Sequence, residues 1–283
     1  MTPRQWTSPG ALAIVLLTLL LTACASSRQA EGPSLAQGAG WGWEIFSAGA
    51  FDVAVASQPP RLPSKTLVVY LEGDGLAYVH ANQPALDPTP TDPVALHMAL
   101  SDPNGAAVAW IGRPCQYTLP EHGRNCRVTY WTTHRYAPEV VDSLDAALDI
   151  LKQRRGATRL ALVGYSGGGA LAVLLAARRP DVAKVVTVAA NLDLDYWTRR
   201  DGLTPLSQSL DPAQVAESLG SMPQVHFTGA EDHTVGTDVV RSFLHRLPAG
   251  APARLVEVPH YTHSCCWARD WPTLAAGLWS DVR

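Results

Sequence analysis

The chain has 283 residues, 47% of them hydrophobic, and a formal net charge of −3. A chain of that length and composition can bury one large core, which excludes a disordered or disulfide-framework protein. With no basic stripe, no nucleic-acid partner is expected.

Residues 1–23 read as a removable leader. Arg4 is the single charge ahead of an apolar run from Ala11 to Leu21, which is short for a membrane span. The order Leu21-Thr22-Ala23-Cys24 resembles a bacterial lipobox, and the resemblance implies that Cys24 becomes the lipidated first residue. Residues 24–40 are then expected to form a polar tether. With no aspartate after Cys24, the resemblance implies the outer membrane, facing the periplasm. The membrane would be a partner through the lipid.

Removing Cys24 from five cysteines leaves Cys115, Cys126, Cys265 and Cys266. In an oxidising compartment an even remainder suggests disulfides. Three connectivities are open. The preferred one is Cys115 with Cys126, leaving Cys265 and Cys266 as a vicinal bridge or two thiols.

The folded domain is expected over residues 41–283. Trp43–Phe46 and Phe51–Val55 suggest a leading hairpin, and Thr66–Leu71 a strand buried on both faces. A short helix near Val94–Leu100, a strand over 106–111 and an irregular, cysteine-bracketed stretch over 112–131 follow. Glu139–Arg155 has helical apolar spacing at Val140, Val141, Leu144, Ala147, Leu148 and Leu151. Leu160–Val163, Lys184–Ala190, Gln224–Thr228 and Arg254–Val258 read as further strands. Helices are expected over 170–177, 237–247 and toward Trp279. Solid apolar strands alternating with helices predict an α/β protein with a mostly parallel sheet covered on both faces. Residues 191–222 interrupt the rhythm and read as a short cap insertion.

The most informative stretch is Val163-Gly164-Tyr165-Ser166-Gly167-Gly168-Gly169, a Gly-x-Ser-x-Gly turn between an apolar strand and an Ala/Leu-rich helix. Such a turn lifts Ser166 to the N-terminal end of the helix, whose positive end favours a developing oxyanion. A serine hydroxyl needs a base, and the base needs an orienting acid. Asp232, in Gly229-Ala230-Glu231-Asp232-His233-Thr234-Val235, is the expected acid. Glu231, Asp193 and Asp195 are the alternatives. His263 is preferred as base over His260 because it immediately precedes the final helix.

Nucleophile, acid and histidine in this order, on this element pattern, resemble the α/β-hydrolase superfamily across the presumed mature chain. The resemblance implies a serine hydrolase acting on a small ester-like molecule through an acyl-enzyme, with no cofactor and no metal. It also implies an oxyanion hole built from the backbone of Gly167 and of Asp74 or Gly75, in the loop Glu72-Gly73-Asp74-Gly75. A silent binding protein on this fold, and a peptidase or thioesterase using the same residues, are the alternatives. The histidines and cysteines over 260–266 lack structural-zinc spacing. Leu192, Leu194, Tyr196, Trp197, Arg199 and Arg200 of the insertion, with Arg113, Gln116, Tyr117 and Arg124, are expected to face the site. Together they would favour a short, polar or anionic acyl group, with Glu72 and Asp74 expected on the opposite wall.

Overall fold

The computed structural model describes residues 27–59, 64–103, 107–119 and 123–280. The expected leader and Cys24 lie outside these residues. Among the described residues no helix is long and apolar enough to cross a membrane.

Eight strands form one sheet. In chain order they are β1 (Gly42–Ala48), β2 (Phe51–Ser57), β3 (Thr66–Leu71), β6 (Ala107–Ile111), β7 (Arg159–Tyr165), β8 (Val182–Val188), β9 (Gln224–Gly229) and β10 (Ala253–Val258). Two short strands, β4 (Tyr78–His80) and β5 (Gln83–Pro84), pair separately as a small hairpin. The spatial order in the large sheet is β1-β2-β6-β3-β7-β8-β9-β10. The β1–β2 and β2–β6 pairs are antiparallel, and every later pair is parallel.

Strand alternation divides the core in two. Leu67, Val69 and Leu71 of β3 pack with Leu160 and Leu162 of β7 on one face. Val68, Tyr70, Ala161 and Val163 join a second cluster on the other. Because successive side chains leave opposite faces, a run such as Leu67–Leu71 is apolar throughout only when helices cover both sides.

The first face carries helices α3 (Pro138–Arg155), α4 (Gly167–Arg178) and α6 (Thr237–Leu244). The second carries α1 (27–38), α2 (Val94–Leu100) and α7 (Trp267–Leu274). The longest, α3, opens with Pro138 in its first turn and closes on Gly156 at φ 63°, placing proline and glycine where each fits a helix end.

Two expectations need revision. Residues 24–40 were expected as a tether, but residues 27–38 form α1, which docks on the fold. Ala36 is buried, and a Cβ on Gly32 would crowd Trp43 and Tyr117. Its packed face mixes Gly32 and Ala36 with Arg28 and Gln29, so composition hid it. The insertion over 191–222 starts with α5 (Leu194–Arg200) but then turns away from the sheet edge that carries Ser166. Ala216 and Leu219 pack into the core cluster that contains α4, so only the first part of the segment approaches the site.

Candidate active site

Ser166 stands between β7 and α4 at φ 50° and ψ −121°, in the left-handed region that L-residues avoid. The surroundings hold it there. Its N–H donates to Val188 O at 2.8 Å, and its carbonyl accepts from Gly169 N at 2.9 Å. A Cβ on Gly164 would overlap the Gly168 carbonyl, and one on Gly168 would overlap the Leu71 carbonyl. The motif glycines therefore let strand, turn and helix pass at distances that no side chain permits.

Ser166 Oγ donates to His263 Nε2 at 3.0 Å, and His263 Nδ1 donates to Asp232 Oδ2 at 2.9 Å. Ninety-seven residues separate serine and histidine. The histidine loop is fixed by its carbonyl, which accepts from Tyr165 Oη at 3.0 Å and from Trp267 Nε1 at 2.9 Å. Asp232 also accepts from the N–H groups of Thr234 (2.9 Å) and Val235 (3.0 Å). Burial alone would raise its carboxyl. The His263 contact and the two amides outweigh burial and hold it below the ordinary carboxylate range.

The alternatives lie elsewhere. Exposed His260 pairs with Glu231 at 2.9 Å. Asp193 is fully buried, where it accepts from Tyr196 N, Ser242 Oγ and Arg246. Asp195 pairs with Arg199 on the outer side of α5.

The loop after β3 is held from beneath. Glu72, 1% exposed, accepts from Gly73 N (2.9 Å), Trp110 Nε1 (3.0 Å), Leu96 N (3.2 Å) and Ala95 N (3.3 Å). It thereby ties the loop to the first turn of α2. Burial pushes its carboxyl up to about 7 against those four bonds. The Gly73 N–H is thus occupied. Among the described residues the N–H groups of Asp74 and Gly167 make no hydrogen bond to the protein.

The Asp74 carboxylate lies against Gly167 and is bonded by Arg113, by Arg135 at 2.7 Å and by Tyr136 Oη at 3.1 Å. Burial would raise it, but the two guanidiniums prevail and lower it. Neither Glu72 nor Asp74 therefore presents an unmatched negative charge to the pocket. One carboxylate is buried, and the other is matched by two cations.

A pocket of about 340 Å3 opens over Ser166. Its wall includes Leu76, Ala77, Arg135, Asn191, Trp197 and Val235. Of the residues expected to face the site, Trp197 does so, with Nε1 on Thr234 O. Gln116 and Arg113 support the β3 loop instead, the former through a 2.9 Å bond to Gly73 O. Tyr117 packs against Trp43 and Trp110, and Arg124 turns to the β1–β2 hairpin. Leu192 and Leu194 are core residues, and Tyr196 and Arg200 bond Asp238. Arg135 was missed because nothing in its local sequence distinguishes it from any exposed arginine.

Cys115 bonds to Cys126, stapling the loop that carries Gln116, and Cys265 bonds to Cys266 two residues beyond His263.

A strained serine at a strand-to-helix turn, on a mostly parallel eight-stranded sheet, defines an α/β hydrolase. The chain belongs to the dienelactone hydrolase family, whose sequence model matches residues 121–269. That match contains Ser166, Asp232 and His263 but not the loop after β3. Among solved structures, Est1E from Butyrivibrio proteoclasticus is 14% identical, covering 85% of this chain and 97% of its own, with a TM-score of 0.59. An esterase from Pyrococcus furiosus is 13% identical, covering 87% and 92%, with a TM-score of 0.58. An α/β serine hydrolase without a lid, from Xanthomonas campestris, is 16% identical, covering 86% and 94%, with a TM-score of 0.55. At these identities the likeness is one of fold. No curated protein matches the chain significantly.

Proposed function

We propose that this hydrolase cleaves carboxylic esters of small molecules through an acyl-enzyme on Ser166. The observation that carries the reading is the unbroken hydrogen-bond chain from Ser166 Oγ through His263 to Asp232, at the floor of a pocket. With Nδ1–H donated to Asp232, His263 Nε2 is left as the acceptor that a general base requires. Ser166 Oγ attacks the ester carbonyl as its proton passes to Nε2. The oxyanion takes the free N–H groups of Gly167 and Asp74. Collapse expels the alcohol, which leaves with the proton from His263. Water activated by the same nitrogen then frees the acid. A dienelactone is itself a cyclic ester, so the family name agrees with this class of bond.

The pocket volume, with Arg135 and Trp197 on its wall, favours a short, polar acyl group. A lipid on Cys24 would hold the enzyme at the envelope membrane, on the periplasmic side of the outer membrane, as the Leu21–Cys24 motif supports.

Ser166→Ala should abolish turnover of p-nitrophenyl acetate and labelling by a fluorophosphonate while the circular dichroism spectrum is unchanged. Undiminished turnover would refute the assignment. Cys24→Ser should move the protein from the membrane fraction to the soluble one.

A further inference from the structure

Helix α1 begins beside the pocket. Arg28 pairs with Asp87 at 3.6 Å, and Gln29 Nε2 donates to Asp87 Oδ2 and Thr89 Oγ1, both at 3.1 Å. The segment that receives these contacts also builds the pocket wall, through Leu76, Ala77, Pro90, Thr91 and Asp92. Between the wall residues the chain runs out into the β4–β5 hairpin, exposed along its whole length.

Among the described residues, three of the five large hydrophobic residues that stand exposed lie on or beside this hairpin. Tyr78 and Val79 are 36% and 45% exposed, and Leu86, next to Asp87, is 91% exposed. From Gly75 to Leu86 there is no Asp, Glu, Lys or Arg, in a chain that is 17% charged. Single exposed apolar residues need no explanation, but three on one charge-free projection at a pocket mouth do.

We infer that the β4–β5 hairpin and Leu86 form a bilayer-contacting surface that seats the mouth of the pocket on the lipid. The inference rests on the reading of Cys24 as a lipid anchor. Two residues, Ala25 and Ser26, separate Cys24 from Ser27, so three Cα–Cα steps keep the anchor within about 11 Å of the start of α1. The start of α1 is in turn pinned to Asp87, adjacent to Leu86. Anchor, apolar projection and pocket mouth are thus gathered at one end of the molecule. A lipid chain supplies affinity without orientation, and a second, apolar contact beside it supplies the orientation. Lacking cations, the contact needs no anionic lipid and is not weakened by salt. Esters dissolved in the lipid would reach Ser166 without crossing bulk water.

Hydrogen–deuterium exchange of the full, lipidated chain tests this, on vesicles of phosphatidylethanolamine and phosphatidylglycerol and free of them. Amides over 75–87 should exchange roughly tenfold more slowly on the vesicles, equally at low salt and at about 0.5 M salt. Unchanged exchange in vesicle-bound protein would overturn the docking surface and leave the anchor standing. Protein that does not bind vesicles would overturn both. Protection that appears without vesicles and grows with protein concentration would identify a second copy as the occupant, against the proposal. None of these outcomes depends on catalysis. In a second arm, Val79→Asp and Leu86→Asp should lower hydrolysis of a vesicle-embedded ester about tenfold and leave dissolved p-nitrophenyl acetate unaffected. An equal fall on both substrates would make the hairpin part of the site and overturn the proposal.

Discussion

Asp74 Oδ2 accepts a 2.7 Å hydrogen bond from Arg135 Nη1, so an ion pair stands on the pocket wall with its carboxylate against Gly167. The side chains are only 13% and 14% exposed, which removes most of the solvent screening that weakens surface pairs. The pair, with Arg113 and Tyr136, fixes the backbone that carries the Asp74 N–H. Asp74→Asn should therefore lower kcat on a soluble ester by roughly 10- to 100-fold, the scale of a small misplacement of a reacting group. KM should change little, because the lost interaction serves the oxyanion. Steady-state kinetics with both parameters resolved would check this.

The two histidine–carboxylate pairs near the last strand make a second test. His263→Ala should cost about 10³-fold or more in kcat/KM, and Asp232→Asn about 10⁴-fold, because the amide would favour the wrong imidazole tautomer. His260→Ala and Glu231→Gln should stay within about twofold, as that pair is exposed and reaches nothing in the pocket. A larger effect from His260 than from His263 would reassign the base.

Glu72 predicts a pH dependence of stability. Its carboxyl is raised from 4.5 to about 7 in the folded protein, so between those values the native state holds more proton than the unfolded chain. Its contribution is therefore greatest below about pH 4.5 and is lost as pH rises through about 7, falling by about 3 kcal/mol in all. Glu72→Gln does not titrate. The stability difference between wild type and Glu72→Gln, measured by urea unfolding from pH 5 to 8, should move in favour of the variant as pH rises. A flat difference would mean that the four hydrogen bonds outweigh burial.

Cys115 and Cys126 are 11 residues apart in sequence, and their bridge restrains the unfolded chain as well as the loop bearing Gln116. The double substitution Cys115→Ala with Cys126→Ala should lower unfolding free energy by about 3 kcal/mol. Because Gln116 braces Gly73, activity at temperatures well below the transition should also fall, by a few-fold. Thermal melts and kinetics on one preparation would separate the two effects.

Much of this protein was legible from its chain alone. The strands over 67–71 and 160–163 were readable because a strand buried on both faces is apolar at every position, and the Ser166 turn because only glycine tolerates its close approaches. The tertiary structure decided the rest. Tyr165 and Trp267 fix His263, rather than His260, over Ser166 through contacts that no local pattern encodes. Arg135 reaches Asp74 across 61 positions. Residues 27–38 look like a tether until Trp43 and Tyr117 close on Gly32. Periodicity reports which face of an element is buried, and a motif reports a local backbone need. Which side chains meet at long range depends on how the elements pack, and that appears only in the folded molecule.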